Sequence, residues 1–176
     1  TASIAAYYYS NMRSGLESKA KTTTDFFGNY INQSYHEYYQ SCIKFAKTFE
    51  DKNVLELQFI STKGDMLASS YGQWAGMPPK TEDVTQALST QQLSVFQGKD
   101  PDTGERIMAV SSPMIYSNGE MIGILRYVTS LRGVDRQVLM VAVIAVAVGL
   151  IFIAFMLFIS SFFIRSILEP LSQITA

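Results

Sequence analysis

The sequence predicts an α+β protein in which a long N-terminal helix packs on a five-stranded antiparallel sheet and a transmembrane helix follows. Three observations carry this. Residues 138–164 form an apolar run without a charged side chain. Residues 24–49 place apolar side chains at three- and four-residue spacing, and residues 55–129 switch to an alternating period punctuated by glycine- and proline-containing turns.

The apolar run is interrupted only by Gly149, Ser160 and Ser161. At about 1.5 Å rise per residue it reaches roughly 40 Å as a helix, and a hydrocarbon core of about 30 Å needs less. Its place near the C-terminal end and its length separate it from a signal peptide. The preceding residues 1–137 mix charged, polar and aromatic side chains and suffice for one soluble domain but not for two. The hydrophobic fraction of 48% is raised by the span, and a net charge of -1 offers no electrostatic footprint for DNA or RNA. No nucleic-acid partner is expected.

Residues 1–23 read as a helical stalk that bends near Thr22 to Thr24. Ile4, Ala5, Ala6 and the tyrosines Tyr7, Tyr8 and Tyr9 fit either the interfacial exit of an earlier membrane span or a helix packing on the domain. The chain starts without methionine and ends as a new amphipathic pattern begins, so it reads as a piece of a longer protein. Thr24 is the expected N-cap of a helix whose buried stripe is Phe27, Ile31, Tyr35, Tyr38, Cys42, Phe45, Ala46 and Phe49. Leu55, Leu57 and Phe59 then alternate with Glu56, Gln58 and Ile60 as a first strand. Lys63-Gly64-Asp65 turns the chain into a second strand over 66–71, and 72–80 reads as an ordered loop. Thr81 precedes a short helix over 82–88 with Glu82 and Asp83 in its first turn, where the helix dipole favours them. Strands over 93–96, 106–116 and 121–129, joined by turns at 98–105 and 117–119, complete a meander.

Cys42 is the only cysteine, which excludes a disulfide framework, and its place in an apolar stripe reads as packing. His36 is the only histidine, so no metal site is expected and no serine-histidine-acid triad is possible. Asn32-Gln33-Ser34 matches the N-glycosylation acceptor pattern, which matters only in a host that glycosylates. Neither a phosphate-cradling glycine loop nor paired carboxylates are present, and no cofactor is expected.

Residues 59–70, Thr103-Gly104-Glu105-Arg106 entering a strand that ends in Ser112-Pro113-Met114-Ile115, and Ile122-Gly123-Ile124-Leu125 stand in this order just before a membrane span. In that arrangement residues 7–131 resemble the extracytoplasmic PAS-like sensor domains called Cache or PDC domains. The resemblance implies a sensor domain over 24–131, a juxtamembrane linker over 132–137, and residues 1–137 outside the cytoplasm. After the span, residues 165–174, with Pro170 and the spacing of Ile167, Leu171 and Ile174, look like the opening of a HAMP linker. That likeness implies a homodimer joined through stalk, membrane helix and linker, with 165–176 in the cytoplasm. The competing reading is a membrane helix that stops at Pro170 with a short amphipathic tail.

A pocket is implied on the sheet face away from the long helix, with Tyr71 and Trp74 as lid and Arg106, Met108 and Arg126 as lining. An arginine there would hold a carboxylate by two parallel hydrogen bonds. The alternatives are that Arg106 is solvated at its strand start, that Arg126 pairs with Glu56 or another acid, and that Trp74 packs its own loop. The implied parent is a sensor histidine kinase of a bacterial two-component system. A chemotaxis transducer, a membrane diguanylate cyclase and a non-signalling anchored domain are the alternatives. No catalytic site is expected in this chain, because the phosphoacceptor histidine of such a kinase is missing and His36 lies on the wrong side of the membrane.

Overall fold

The structure, a computed structural model, describes residues 2–30, 34–72, 77–116 and 118–174. Helix α1 (Ala2–Tyr30) and helix α2 (Tyr35–Thr48) precede strands β1 (Glu56–Ser61) and β2 (Met66–Ser69). Helix α3 (Glu82–Thr90), strands β3 (Ser94–Lys99), β4 (Arg106–Ile115) and β5 (Met121–Ser130), and helix α4 (Arg132–Ile174) follow. The five strands form one antiparallel sheet in the order β2-β1-β5-β4-β3, so the last strand is the central one.

Two corrections concern the N-terminal helices. The bend and N-cap expected near Thr24 are absent, and α1 runs unbroken through residues 22–24. Threonine is a weak helix former because its branched side chain is stiff, yet here the hydroxyls find partners. Thr23 and Thr24 donate to the carbonyls of Lys19 (2.8 Å) and Ala20 (2.7 Å). Thr23 also bonds the Tyr127 hydroxyl (2.9 Å), and Thr24 the Ser112 hydroxyl (3.0 Å), so the suspected weak point is a docking point. The real second start is at Ser34, whose backbone N–H donates to the Glu37 carboxylate at 3.1 Å. That reciprocal spacing of serine and glutamate is an N-terminal signature.

With this division α1 lies over β4 and β5 while α2 lies over β1 and β2. Leu16, Ala20 and Phe27 of α1 and Tyr38, Cys42 and Ala46 of α2 share one core with Leu57, Phe59, Met108, Val110, Leu125 and Tyr127. Phe27 meets Phe59 and Phe45 edge-on at ring distances of 5.2 and 5.1 Å. Tyr35, placed in the stripe by spacing alone, is exposed, and Ile31 lies outside the described residues. Cys42 is fully buried, and burial pushes its thiol up to about 12, so no thiolate forms near neutral pH. His36 is exposed.

The opposite face of the sheet is covered by α3, whose Val84 and Ala87 pack on Ile60 and Ile124. Helix α4 starts two residues after β5 and is continuous, so 132–137 is helix and Pro170 lies within the helix. The alternative stop at Pro170 is replaced. Within Arg132–Leu168, the stretch of α4 long and apolar enough for a membrane, the most apolar 18 residues have a mean hydropathy of 3.1 and none of them is buried.

Gly123 of β5 lies against both β1 and the Tyr38 side chain of α2. A Cβ there would stand 2.6 Å from the Ile60 carbonyl oxygen and 2.9 Å from the Tyr38 hydroxyl. Gly123→Ala is expected to destabilise the chain by about 1–3 kcal/mol through overpacking, and Leu125→Asp by several kcal/mol through an unpaired buried charge. Thermal unfolding in detergent checks both. Unchanged melting of either variant contradicts the central placement of β5.

Candidate functional site

Strand alternation decides which side chains look toward α3. Across the sheet Ser69, Gln58, Arg126 and Ser111 stand in one row, since Gln58 pairs with Ser69 and Arg126, and Arg126 with Ser111. Arg126 is 4% exposed, and each of its three guanidinium nitrogens donates a hydrogen bond. Nε donates to Asp83 Oδ2 (2.8 Å), Nη1 to Gln58 Oε1 (2.8 Å) and Nη2 to Thr81 Oγ1 (2.7 Å). Asp83 is fully buried and also accepts from Ser111 Oγ (2.6 Å) and from Thr81 Oγ1.

The local sequence explains how α3 delivers this carboxylate. Val84, Ala87 and Leu88 seat the helix on Ile60 and Ile124, which turns Asp83 of its first turn toward the sheet. Thr81 occupies the N-cap position with extended backbone (φ -89°, ψ 153°). Its hydroxyl serves the ionic network in place of its own helix. The helix closes at Gln91, whose left-handed backbone (φ 54°) lets its N–H reach the Ala87 carbonyl. Burial by itself raises the Asp83 carboxyl, but the Arg126 charge and the hydrogen bonds from Arg126, Ser111 and Thr81 outweigh it. Asp83 therefore titrates below its ordinary value and is ionised at neutral pH.

At the rim of this face, Ser69 Oγ donates to Glu56 Oε1 (2.7 Å) and to it comes the Tyr71 backbone N–H (3.1 Å to Ser69 Oγ). Tyr71 is half-exposed, and burial, then the charges of Glu56 and Glu105, push its phenol up. An open cleft of about 620 Å³ also lies on the other side of the molecule, between α1 and the start of β3, lined by Glu17, Lys21, Asp25 and Gln92.

The expected site residues thus separate. Glu56, Gln58 and Ile60 do lie opposite Leu55, Leu57 and Phe59, and Arg126 and Ile124 share their face. Met108 does not, which corrects its placement, and Val110 and Ser112 stand on the same side as Met108. They point into the helix-side core, and Met108 is fully buried there. The cause is a bulge between Met114 and Ile115. Counted out from the Ile115↔Met121 pair without it, Arg126 would oppose Val110, whereas the bulged strands set Arg126 opposite Ser111. A shift of one residue moves every side chain to the other face. Arg106 is likewise off this face, at the base of the sheet, bound to Asp135 (2.6 Å) and Tyr9. Trp74 lies outside the described residues. Asp83, Thr81 and Ser111 were missed. Capping and dipole preferences account for Thr81 and Asp83 on their own, and only the inward stripe Asp83, Val84, Ala87 hints at the second duty.

No family model matches the chain, and no curated protein matches it in sequence. Solved structures share the fold. The E. coli DcuS sensor domain superposes with a TM-score of 0.53 at 19% identity, over 72% of this chain and 96% of that one. The ligand-binding domain of the Campylobacter jejuni chemoreceptor Tlp3, in complex with 4-methylisoleucine, gives 0.57 at 18% identity over 73% of this chain and 55% of that one. The sensor domain of the V. cholerae histidine kinase DctB gives 0.52 at 16% over 74% and 55%. This chain therefore spans little more than half of the last two domains. The shared architecture is the Cache/PDC-like sensor fold.

Removing one partner of a buried ion pair strands the other, so Asp83→Ala and Arg126→Ala are each expected to cost about 3–5 kcal/mol. The double variant should lose less than the sum, by about 0.5–3 kcal/mol in a denaturation cycle. Additive losses contradict the pairing. Because the folded Asp83 carboxyl is depressed, its stabilisation is complete above the unfolded value of about 3.9 and is lost as pH falls through the lower folded value. Asp83→Asn should flatten the stability profile in that acid window.

Proposed function

We propose that this chain is the sensing and membrane-crossing part of a bacterial sensor histidine kinase. Residues 1–137 lie outside the cytoplasm, α4 crosses the bilayer, and residues 165–174 open a HAMP linker in a homodimer. The observation that carries this reading is continuity. The central strand of a sensor-type sheet leads after Leu131 straight into an apolar helix whose large side chains from Val143 to Leu168 are exposed. An apolar surface of that size on a helix about 65 Å long is stable only in lipid or against other helices.

The sensing side is the α3 face. Its candidates are Arg126, with Asp83, Gln58 and Thr81, and Tyr71 at the rim. The guanidinium already holds a carboxylate from the chain itself, so an anionic ligand that reaches Arg126 competes with Asp83 and loosens α3. That exchange gives a ligand different affinities for two states, without which no signal arises. The likeness to the Tlp3 domain supports a second reading, the input part of a chemotaxis transducer. Both use the same residues in this chain. Further sequence downstream separates them, since a kinase requires a phosphoacceptor helix and an ATP-binding domain and a transducer continues in heptads.

A membrane-impermeant maleimide on intact cells tests the topology. Asp102→Cys, in an exposed turn, is expected to label, and Ser172→Cys only after permeabilisation, while buried Cys42 stays silent. The reverse pattern overturns the orientation. For the site, short mono- and dicarboxylates and free amino acids are screened by thermal shift. A binder at 100 times its Kd should add about 2.7 kcal/mol, abolished by Arg126→Lys and kept by Arg106→Ala. Equal shifts in wild type and Arg126→Lys remove Arg126 from the site.

A further inference from the structure

Where the sheet meets the membrane helix, three elements converge on one carboxylate. Asp135, in the first turn of α4, accepts from Arg106 Nη1 of β4 at 2.6 Å and from the Tyr9 hydroxyl of α1. Arg106 Nη1 also reaches the Tyr9 hydroxyl at 3.4 Å, and its guanidinium carbon lies 5.7 Å from the centre of the Tyr9 ring. Beside them the Leu131 N–H donates to the Arg106 carbonyl (2.8 Å) and the Asp135 N–H to the Leu131 carbonyl (2.8 Å). The β4–β5 ladder is thereby carried into the first turn of α4. Leu131 and Val134 are the buried anchors of that turn, whereas the large apolar side chains from Val143 to Leu168 are exposed.

We propose that Tyr9, Arg106 and Asp135 form a coupling clasp that fixes the offset of α4 against α1 and passes displacement of β4 and β5 to the membrane helix. Its chemistry suits a joint that has to yield. The Arg106 and Asp135 side chains are 43% and 30% exposed, so water is ready to replace either partner, unlike the dry Asp83–Arg126 pair. Its geometry gives it discrete states. Sliding α4 by one turn, about 5.4 Å, moves the carboxylate out of reach of both donors at once. Arg132, which leans on Glu105 at 3.6 Å and is 84% exposed, is no substitute.

The clasp depends on the transmembrane-sensor reading for its meaning, but its test reads geometry alone, so the two fail separately. The full chain in lipid nanodiscs, with Cys42→Ala, carries spin labels at the exposed positions Asn11→Cys and Gln137→Cys. Labelled chains are diluted with unlabelled ones, so that distances arise within one chain. Arg106→Ala and Asp135→Asn are each expected to widen the α1–α4 distance distribution by about twofold as a second state becomes populated. Tyr9→Phe, which removes one hydroxyl and preserves packing, should widen it less. The charge exchange Arg106→Asp with Asp135→Arg should narrow it again. Distributions that stay at the wild-type width in Arg106→Ala and Asp135→Asn overturn the clasp, as does a widening that the exchange leaves in place. Unchanged circular dichroism of Tyr9→Phe confirms that the readout comes from a folded chain.

Discussion

Strand β5 has to be dry on both faces while its far end runs into a long apolar helix, and the rest of the architecture answers that constraint. It occupies the centre of the sheet, with β1 on one side and β4 on the other. Leu125 and Tyr127 need the apolar cover of α1 and α2, and Ile124 needs that of α3. Arg126, on the same face as Ile124, cannot be buried as a lone charge, because desolvation would cost several kcal/mol. The cover over that face therefore has to carry a carboxylate, and α3 does so through Asp83.

Two arginine–aspartate pairs of nearly equal length thus serve different ends, and exposure separates them. Around the Arg126–Asp83 pair (2.8 Å, 5% and 0% exposed) each guanidinium nitrogen has a partner. Such a pair resists water and fixes how α3 sits. Between Arg106 and Asp135 (2.6 Å, 43% and 30% exposed) the attraction is screened and exchange with water costs little. A rigid sheet with a yielding joint at its base suits transmission of small displacements, since packed elements shift between discrete arrangements rather than bend.

Helix α4 gives any such displacement a long, straight continuation. Its 43 residues form one continuous helix from the end of the sheet through the apolar stretch. Axial or rotational motion at Leu131 is therefore carried along its whole length. Pro170 removes one N–H from the ladder without ending it, so the continuity extends past the apolar stretch.

The sequence by itself determined what depends on near neighbours: the apolar span, the five strands and their turns, the short helix after Thr81, and the packing of Cys42. Period and turn chemistry are local, and solvent or lipid reads them the same way in any fold. Tertiary structure decided the break at Ser34 rather than Thr24, because hydroxyl partners on Tyr127 and Ser112 come from residues about ninety to a hundred positions away. It also decided the face of β4, because the single bulge at Met114/Ile115 reverses which side chains meet Arg126 and sends Met108 into the helix-side core. Arg126 was legible as an arginine on the face away from the long helix, there to hold a ligand carboxylate or to pair with Glu56 or another acid, but not as the partner of Asp83. Which carboxylate answers it depends on where α3 lands, and that is fixed by burial of Val84 and Ala87 against a sheet assembled from distant strands.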